Sequence, residues 1–337
     1  MAHYLQNIGH EVVVFSPEDG ELYKRSAASK LNVCRINWKK NNYYNPIFLY
    51  RLWRNLRSQS LDVIVFNSFI DIRDASLVSR LASIQKRVLR VGMPIVPKLN
   101  FIYKASFRFG LSHFVGISHE IYKLFNKSGF LQNLNTSVIP NGIDIDKFKF
   151  KERDFKFLNN SPVFGNCVRL SDQKGLFGFL NIVKFISNKI SGAKFIIAGD
   201  GELETELKEY AKKMGIDDKV LFLGHVEDVP GFYDSIDFLI FTSKYEGTAR
   251  TLIEAMSSGV PVFCYDTSSM SEMITHGRDG FKVPPFDEDE FCHRILEVFT
   301  KKNDSLSELA KAARQKVAMD YSKSINFVKW EKTLLSD

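Results

Sequence analysis

Short, almost continuously apolar runs recur along this chain, each flanked by a helix-forming stretch, and no other feature restricts the fold as much. HEVVVFSP (10–17), LDVIVFNS (61–68), KRVLRVGMP (86–94), HFVGIS (113–118) and TSVIPNG (136–142) read as strands in the first half. SPVFGNCVRL (161–170), AKFIIAGDG (193–201), KVLFLGHV (219–226), FLIFTS (238–243) and PVFCYD (261–266) continue the series. A strand apolar at successive positions is buried on both faces, which demands helices on both sides of a parallel sheet. NPIFLYRLWRNLRSQ (45–59) is one such helix: Phe48, Leu49, Leu52, Trp53 and Leu56 recur at helical spacing, with Arg51, Arg54 and Arg57 on the other face. EIYKLFNKSG and the stretches 177–190, 202–215 and 250–259 read as further helices. The pattern predicts an α/β chain with two Rossmann-like, doubly wound parallel-sheet domains facing across a cleft. Ligands bind such sheets at the carboxyl ends of the strands.

At 337 residues the chain is long enough for two cores. The charged, weakly periodic segment 146–160 is the expected linker, after a first domain over 1–145. Charge separates the halves: residues 1–150 hold 21 Lys and Arg against 10 Asp and Glu, while residues 151–337 hold 25 against 29. A basic half next to an acidic one suits an anionic membrane surface, an anionic acceptor or nucleic acid, or is simply a solvated basic surface. Four scattered cysteines form no C-x-x-C pair, so neither a disulfide framework nor a zinc site is expected, and a cytoplasmic location is. No apolar run is long enough to cross a membrane, and MAHYLQNIGHEVVVF does not have the form of a signal peptide.

Three segments carry candidate chemistry. In YEGTARTLIEAMSSGVPV (245–262), Glu246 ends a strand-to-helix loop and Glu254 is expected about two turns into the helix. Eight helical residues span roughly 12 Å, about the reach from a sugar hydroxyl across a diphosphate to a ribose. The amides from Gly247 onward sit at a helix N-terminus, an anion site, and a carboxylate suits a diol because it accepts two hydrogen bonds. A surface glutamate and a helix-face glutamate fit the same spacing. In GNCVRLSDQKG (165–175), Arg169 and Lys174 precede a glycine that opens a helix, a set suited to a diphosphate or, equally, to solvent. In IIAGDGELETEL (196–207), Gly199 and Gly201 let the backbone pass close to a ligand, but Glu204 stands where a third glycine would complete a nicotinamide-dinucleotide fingerprint.

Together these segments resemble the donor-binding domain of the family 4 retaining glycosyltransferases, which have the GT-B fold. VIPNGIDIDKF resembles that family's domain junction, GNCVRLSDQKG its R-x4-K diphosphate loop, IIAGDGE its glycine loop, and the run ending YEGTARTLIEAMSSGVPV its E-x7-E motif. SEMITHGRDGFKV matches the next segment, and YSKSINFVKWEKTLL (321–335) resembles the terminal helix that crosses back onto the first domain, which bounds the second domain at 161–320. The resemblance implies that Glu246 contacts the donor sugar and Glu254 the ribose. It implies that Arg169 and Lys174 neutralise the leaving diphosphate. Gly247, Thr248, Thr251 and Leu252 would hold phosphate oxygens, Gly199 and Gly201 would line the donor site, and the loop at His225 and Val226 would lie by the base. The implied reaction retains anomeric configuration and uses no metal and no cofactor beyond the nucleotide-sugar.

The first half resembles the family more loosely, through GHEVVVF. Relatives begin with a strand and a glycine-rich loop ahead of that segment, so an incomplete sheet is expected. Asp144-Ile145-Asp146 has the form of a metal-binding Asp-x-Asp, yet it follows IPNG directly and reads as a turn. Neither His113 nor His119 stands at a strand end where a reacting sugar would lie, and Asn67 and Ser68 are candidate acceptor contacts. The expectation is a hexosyltransferase that moves a hexose or N-acetylhexosamine from a UDP- (ahead of GDP-) sugar to a sugar acceptor, lipid-linked, in surface polysaccharide or lipopolysaccharide assembly. Lys and Arg with Tyr43, Tyr44, Trp53 and Phe101 would hold it at an anionic inner leaflet. A non-catalytic relative that binds nucleotide-sugar without turnover is the first alternative. An epimerase or phosphorylase on the same fold is another, and a nucleic-acid binder, without any motif to support it, the last.

Overall fold

The computed structural model describes residues 1–18, 20–36, 45–97, 100–153, 155, 161–300 and 305–335. Tyr43 and Tyr44 therefore lie outside the described residues. The chain forms two units: residues 1–117, 121–139 and 326–337 make the first, and residues 118–120 and 140–325 the second.

The first unit contains β1 (Val13–Ser16), β2 (Asn32–Arg35), β3 (Val63–Phe66), β4 (Lys86–Val91), β5 (His113–Gly116) and β6 (Asn135–Val138). All pairings are parallel, but they form two sheets, β1-β2 and β3-β4-β5-β6. Its helices are α1 (Ala2–Asn7), α2 (Glu21–Ala28), α3 (Pro46–Ser58), α4 (Phe69–Leu81), α5 (Phe101–Ala105) and most of α6 (His119–Lys127). Start signals are local: Asn45 caps α3 ahead of Pro46, and Ser68 with Asp71 forms a reciprocal capping box on α4. Phe107, Phe114, Phe125 and Phe130 form the aromatic centre of this core.

The second unit contains β7 (Val163–Cys167), β8 (Lys194–Ala198), β9 (Val220–Gly224), β10 (Phe238–Phe241), β11 (Val262–Tyr265) and β12 (Phe281–Val283). They form one parallel sheet in the order β12-β11-β10-β7-β8-β9. The helices are α7 (Leu176–Lys189), α8 (Glu204–Met214), α9 (Val229–Ser235), α10 (Arg250–Ser257), α11 (Ser268–Met273), α12 (Glu288–Thr300) and α13 (Ser305–Asp320). Every residue of β10 and β11 is buried, as strands with helices on both faces must be. Phe164, Phe195, Phe238 and Phe299 stack across the central strands. α14 (Lys323–Leu335) begins in the second unit and from Asn326 belongs to the first, where Trp330 and Leu334 pack with Val88, Val115 and Ile139.

Two strands escaped the sequence pattern. β2 is four residues with exposed ends, and β12 has three, too short for periodicity to register. The chain changes units at 117–118, 120–121, 139–140 and 325–326, ahead of and beyond the segment 146–160. Phe148 and Phe155 are buried in the second core, and Arg153 donates to the carbonyls of Ile236 and Tyr233 at 2.6 and 2.7 Å. Charge made the segment look solvated, whereas among its described residues the buried Phe148 and Phe155 and the bonded Arg153 hold it to the second core.

Candidate functional site

The order of the second sheet fixes where a ligand site can form. From β7 the chain winds outward to β8 and β9, then returns to β10 on the other side of β7. Helices leave in opposite directions there, which opens a crevice outside the carboxyl ends of β7 and β10. Arg169 and Lys174 follow β7, and Glu246 follows β10.

The two loops are stitched together. The Lys244 amide donates to Gln173 O at 2.8 Å, Gln173 Nε2 to Tyr245 O at 2.8 Å, and Thr242 Oγ1 to Lys174 O at 3.0 Å. Gly175 permits this approach: its φ is +61°, and a Cβ there would stand 2.2 Å from Thr242 O. Lys174 Nζ donates to Glu246 Oε1 at 2.5 Å, with the side chains only 18% and 9% exposed. This is a near-buried ion pair across the crevice, not two solvated charges. Glu246 is held from behind by Ser268, whose Oγ accepts from the Glu246 amide at 3.1 Å and lies 2.7 Å from the Glu246 carbonyl and from Glu120 Oε2. Ser268 has a φ of +53°, an uncommon conformation for a residue with a Cβ, at the entry to α11.

Glu254 lies in α10, which begins only at Arg250. Glu246 thus precedes the helix, and Glu254 is little more than one turn inside it, not two. The Gly-Thr-Ala stretch between them is irregular, so its amides are not yet committed to a helical ladder. Thr251 Oγ1 donates to Cys167 O at 2.7 Å and pins the first turn of α10 to the end of β7. Leu252 is buried in the core, and its amide donates to Ala249 O at 3.0 Å. Glu254 accepts from Tyr233 Oη at 3.1 Å and from Arg250 Nε at 2.8 Å. Burial, and next the Glu254 charge, hold the Tyr233 hydroxyl well above its ordinary range, so it stays a donor. The same causes raise the Cys167 thiol to about 11, which leaves it neutral.

The remaining residues lie at neighbouring strand ends. Arg169 is exposed, with Glu202 at 3.4 Å. Gly199 has a φ of +124°, and a Cβ there would stand 1.9 Å from Val168 O. Gly201 likewise faces Leu170 O, at 2.3 Å from a Cβ. The close neighbour of both glycines is the carbonyl chain of the Arg169 loop, and their role in the structure is to let the two loops lie against each other. His225 and Val226 follow β9. Asp144 Oδ1 accepts from the amides of Asp146 and Lys147 at 3.2 and 3.4 Å, so that Asp-x-Asp is a turn. Among the described residues no three His, Cys, Asp or Glu side chains gather as a metal site would require.

Comparison with known proteins places this arrangement. The model for "Glycosyl transferases group 1" matches residues 147–316, and that for "Glycosyltransferase Family 4" matches residues 1–147.

The chain belongs to the group 1 glycosyl transferases.

The UDP-Gal:alpha-D-GlcNAc-diphosphoundecaprenol alpha-1,3-galactosyltransferase of Escherichia coli is 29% identical over 216 residues, 61% of this chain and 55% of that protein. The lipopolysaccharide core biosynthesis mannosyltransferase LpsB of Rhizobium meliloti is 31% identical over 163 residues, 45% of this chain and 46% of its own length. The chain thus spans about half the length of these curated relatives. Among solved structures, Anabaena HepE in complex with UDP superposes with a TM-score of 0.82 at 21% identity, covering 96% of this chain and 92% of that one. The lipopolysaccharide outer core galactosyltransferase WaaB does so with 0.74 at 18%, covering 92% and 86%. These likenesses show the fold: two Rossmann-like units of the GT-B type.

Sequence reasoning singled out Arg169, Lys174, Glu246 and Glu254 for this glycosyltransferase fold but missed three residues that hold them. Arg250 was legible as a partner four residues before Glu254 on one helix. Tyr233 and Ser268 were not, because each meets its partner through the fold across about 20 residues.

Proposed function

We propose that this chain is a retaining glycosyltransferase that moves a hexose or N-acetylhexosamine from a UDP-sugar, ahead of a GDP-sugar, to a lipid-linked glycan in surface polysaccharide or lipopolysaccharide assembly. One observation carries the reading: the Lys174–Glu246 pair joins the loops after β7 and β10 at the crossover of a doubly wound sheet, with the exposed Arg169 on the first of those loops and Glu254 on the helix after the second. The relatives' donors and acceptors, UDP-Gal and a diphosphoundecaprenol in one of them, support the donor base and the acceptor class.

In this reading Arg169, Lys174 and the amides of Gly247 and Thr248 take up charge as the diphosphate departs, without a divalent cation. Glu246, oriented by Lys174 and Ser268, accepts hydrogen bonds from donor-sugar hydroxyls. Glu254 accepts from the ribose, with its inner oxygen held by Tyr233. Val226 and its loop flank the base.

The acceptor side belongs to the first unit. The outer surface of α3, α4 and the turn 106–110 shows Tyr50, Leu77, Leu81 and Phe109 beside Arg54, Arg57, Arg80 and Arg108, all exposed. Asp71 is taken up in the cap of α4, and Asp74 is buried. Such a surface suits the anionic headgroups of an inner leaflet, with aromatic and aliphatic groups at the interface. No helix among the described residues is long and apolar enough to cross a membrane. Co-sedimentation with phosphatidylglycerol vesicles, and not with phosphatidylcholine vesicles or a DNA duplex, is the expected result, abolished by Leu81→Glu with Arg54→Glu.

The decisive test of the donor site is a thermal melt with UDP and, separately, GDP. A ligand at ~100 times its Kd adds about 2.7 kcal/mol, several degrees for domains of this size. A shift with one nucleotide only, followed by release of that nucleotide from a donor sugar in the presence of acceptor, is expected. A shift without turnover on any acceptor would leave a nucleotide-sugar binder.

A further inference from the structure

Two residues of opposite exposure hold the carboxylate of Glu254. Tyr233 donates to Oε2 and is fully buried, its ring against Phe148 and Phe232. Arg250 donates through Nε to Oε1 and is 73% exposed, whereas the Glu254 side chain is 9% exposed. The Tyr233 hydroxyl, 3.1 Å from Oε2 and 3.2 Å from the Thr251 carbonyl, fills the inner side of the carboxylate, and Arg250 covers the outer side, from which a ligand must arrive. Only the arginine end of this pair is open to solvent, so the guanidinium can move to another partner where a second donor takes its place on the near-buried carboxylate.

Its surroundings define that other partner. Arg250 is the first residue of α10, where the positive end of the helix dipole favours an anion. Thr251, the next residue, is fastened to Cys167 O, and Arg169 follows in the same loop two residues later, so both guanidinium groups rise from adjoining backbone. Lys174 is already engaged by Glu246 inside the crevice. Arg169 and Arg250 are the exposed arginines of these adjoining segments.

Building on the reading of Glu254 as the ribose acceptor, we propose that Arg250 is a diphosphate ligand that changes partners as the donor binds. A ribose hydroxyl takes the outer side of Glu254, and the displaced guanidinium swings to the phosphate oxygens, where its planar fork suits them. Tyr233 keeps the carboxylate fixed during the exchange. The sugar nucleotide is thus recognised by one coupled step: the ribose releases the cation that the diphosphate needs.

The test compares UDP with uridine, or GDP with guanosine if the melt selects GDP, by titration calorimetry and ligand-observed NMR. For Arg250→Ala the diphosphate is expected to bind about tenfold or more weakly, through loss of charge-assisted bonds. The nucleoside is expected to bind equally well or more tightly, because its competitor for Glu254 is gone. Arg250→Lys should recover part of the diphosphate affinity as a point charge and leave the nucleoside unchanged. A parallel loss for nucleoside and diphosphate, or no change in either, would overturn the proposal. Glu254→Gln separates the two layers. If it leaves nucleoside affinity intact, the ribose role of Glu254 is wrong; if it weakens the nucleoside while Arg250→Ala spares the diphosphate, only the role of Arg250 is. Wild-type protein that binds neither nucleotide would overturn both.

Discussion

The two units use the same strand–helix alphabet and close their cores to different degrees. In the second, β7 sits at the centre of six paired strands, and β10 and β11 are buried from end to end. In the first, the strands divide into sheets of two and four, and three of the four residues in both β1 and β3 are only half-buried. A closed sheet can hold loops rigidly at its strand ends, and there a loop residue acquires a defined chemical partner. A divided one offers surface. The contrast explains why the second unit is recognisable by motifs and the first mainly by its charge.

The largest expected difference is in hydrogen exchange. Amides of β10 and β11 should exchange through global opening of their unit, and those of β1 and β2 orders of magnitude faster through local opening. Equal protection of both sets would break the contrast. Next comes the Lys174–Glu246 pair. Removing one partner from a near-buried pair leaves an uncompensated charge, so Lys174→Ala is expected to destabilise the second unit by about 3–5 kcal/mol in urea unfolding. Lys174→Met combined with Glu246→Leu should recover most of that stability. If the double variant is as unstable as the single, the pair is not what ties the loops.

Arg153→Ala should cost the second unit roughly 2–3 kcal/mol, since the guanidinium makes two bonds to carbonyls of α9 and the turn after it. A calorimetric scan should show that transition lowered and the other unmoved, and a loss in the first unit would show the segment assigned to the wrong core. The smallest effect concerns His113, whose imidazole is held below its ordinary range by burial and then by the charges of Lys86 and Arg87. Below pH ~6.5 the unfolded chain takes up a proton that the folded site resists, so the first unit should lose stability as pH falls from there through the depressed value. His113→Gln should flatten that slope and leave the second unit's pH profile unchanged.

The parts legible in the sequence share a physical cause. Both-face burial leaves a continuous apolar run, so ten of the twelve strands among the described residues could be read directly; β2 has exposed ends and β12 only three residues, and neither leaves such a run. The glycine at 175 was readable as a helix opening, since only a residue without Cβ fits against Thr242 O. Glu246, Glu254, Arg169 and Lys174 stood out because loops at strand ends place polar groups at fixed offsets from apolar runs.

Composition misled where it was taken for exposure. The charged stretch at 146–153 is anchored, since one arginine with two carbonyl partners and one buried Phe148 outweigh its lysines. Helix geometry misled where a start was assumed: no side-chain cap stands before Arg250, and the four residues from Glu246 to Ala249 stay irregular, which shortens the helical distance to Glu254.

By itself the sequence determined two parallel-sheet units, the strand ends that carry chemistry and the uneven charge, because these follow from local periodicity and residue type. Only the tertiary structure decided that Lys174 would neutralise Glu246, that Tyr233 and Arg250 would divide the two oxygens of Glu254, and that Ser268 would hold the Glu246 loop. Those pairings depend on strand order, which brings β7 beside β10 across more than 70 residues of chain, and no local pattern encodes which loops will meet.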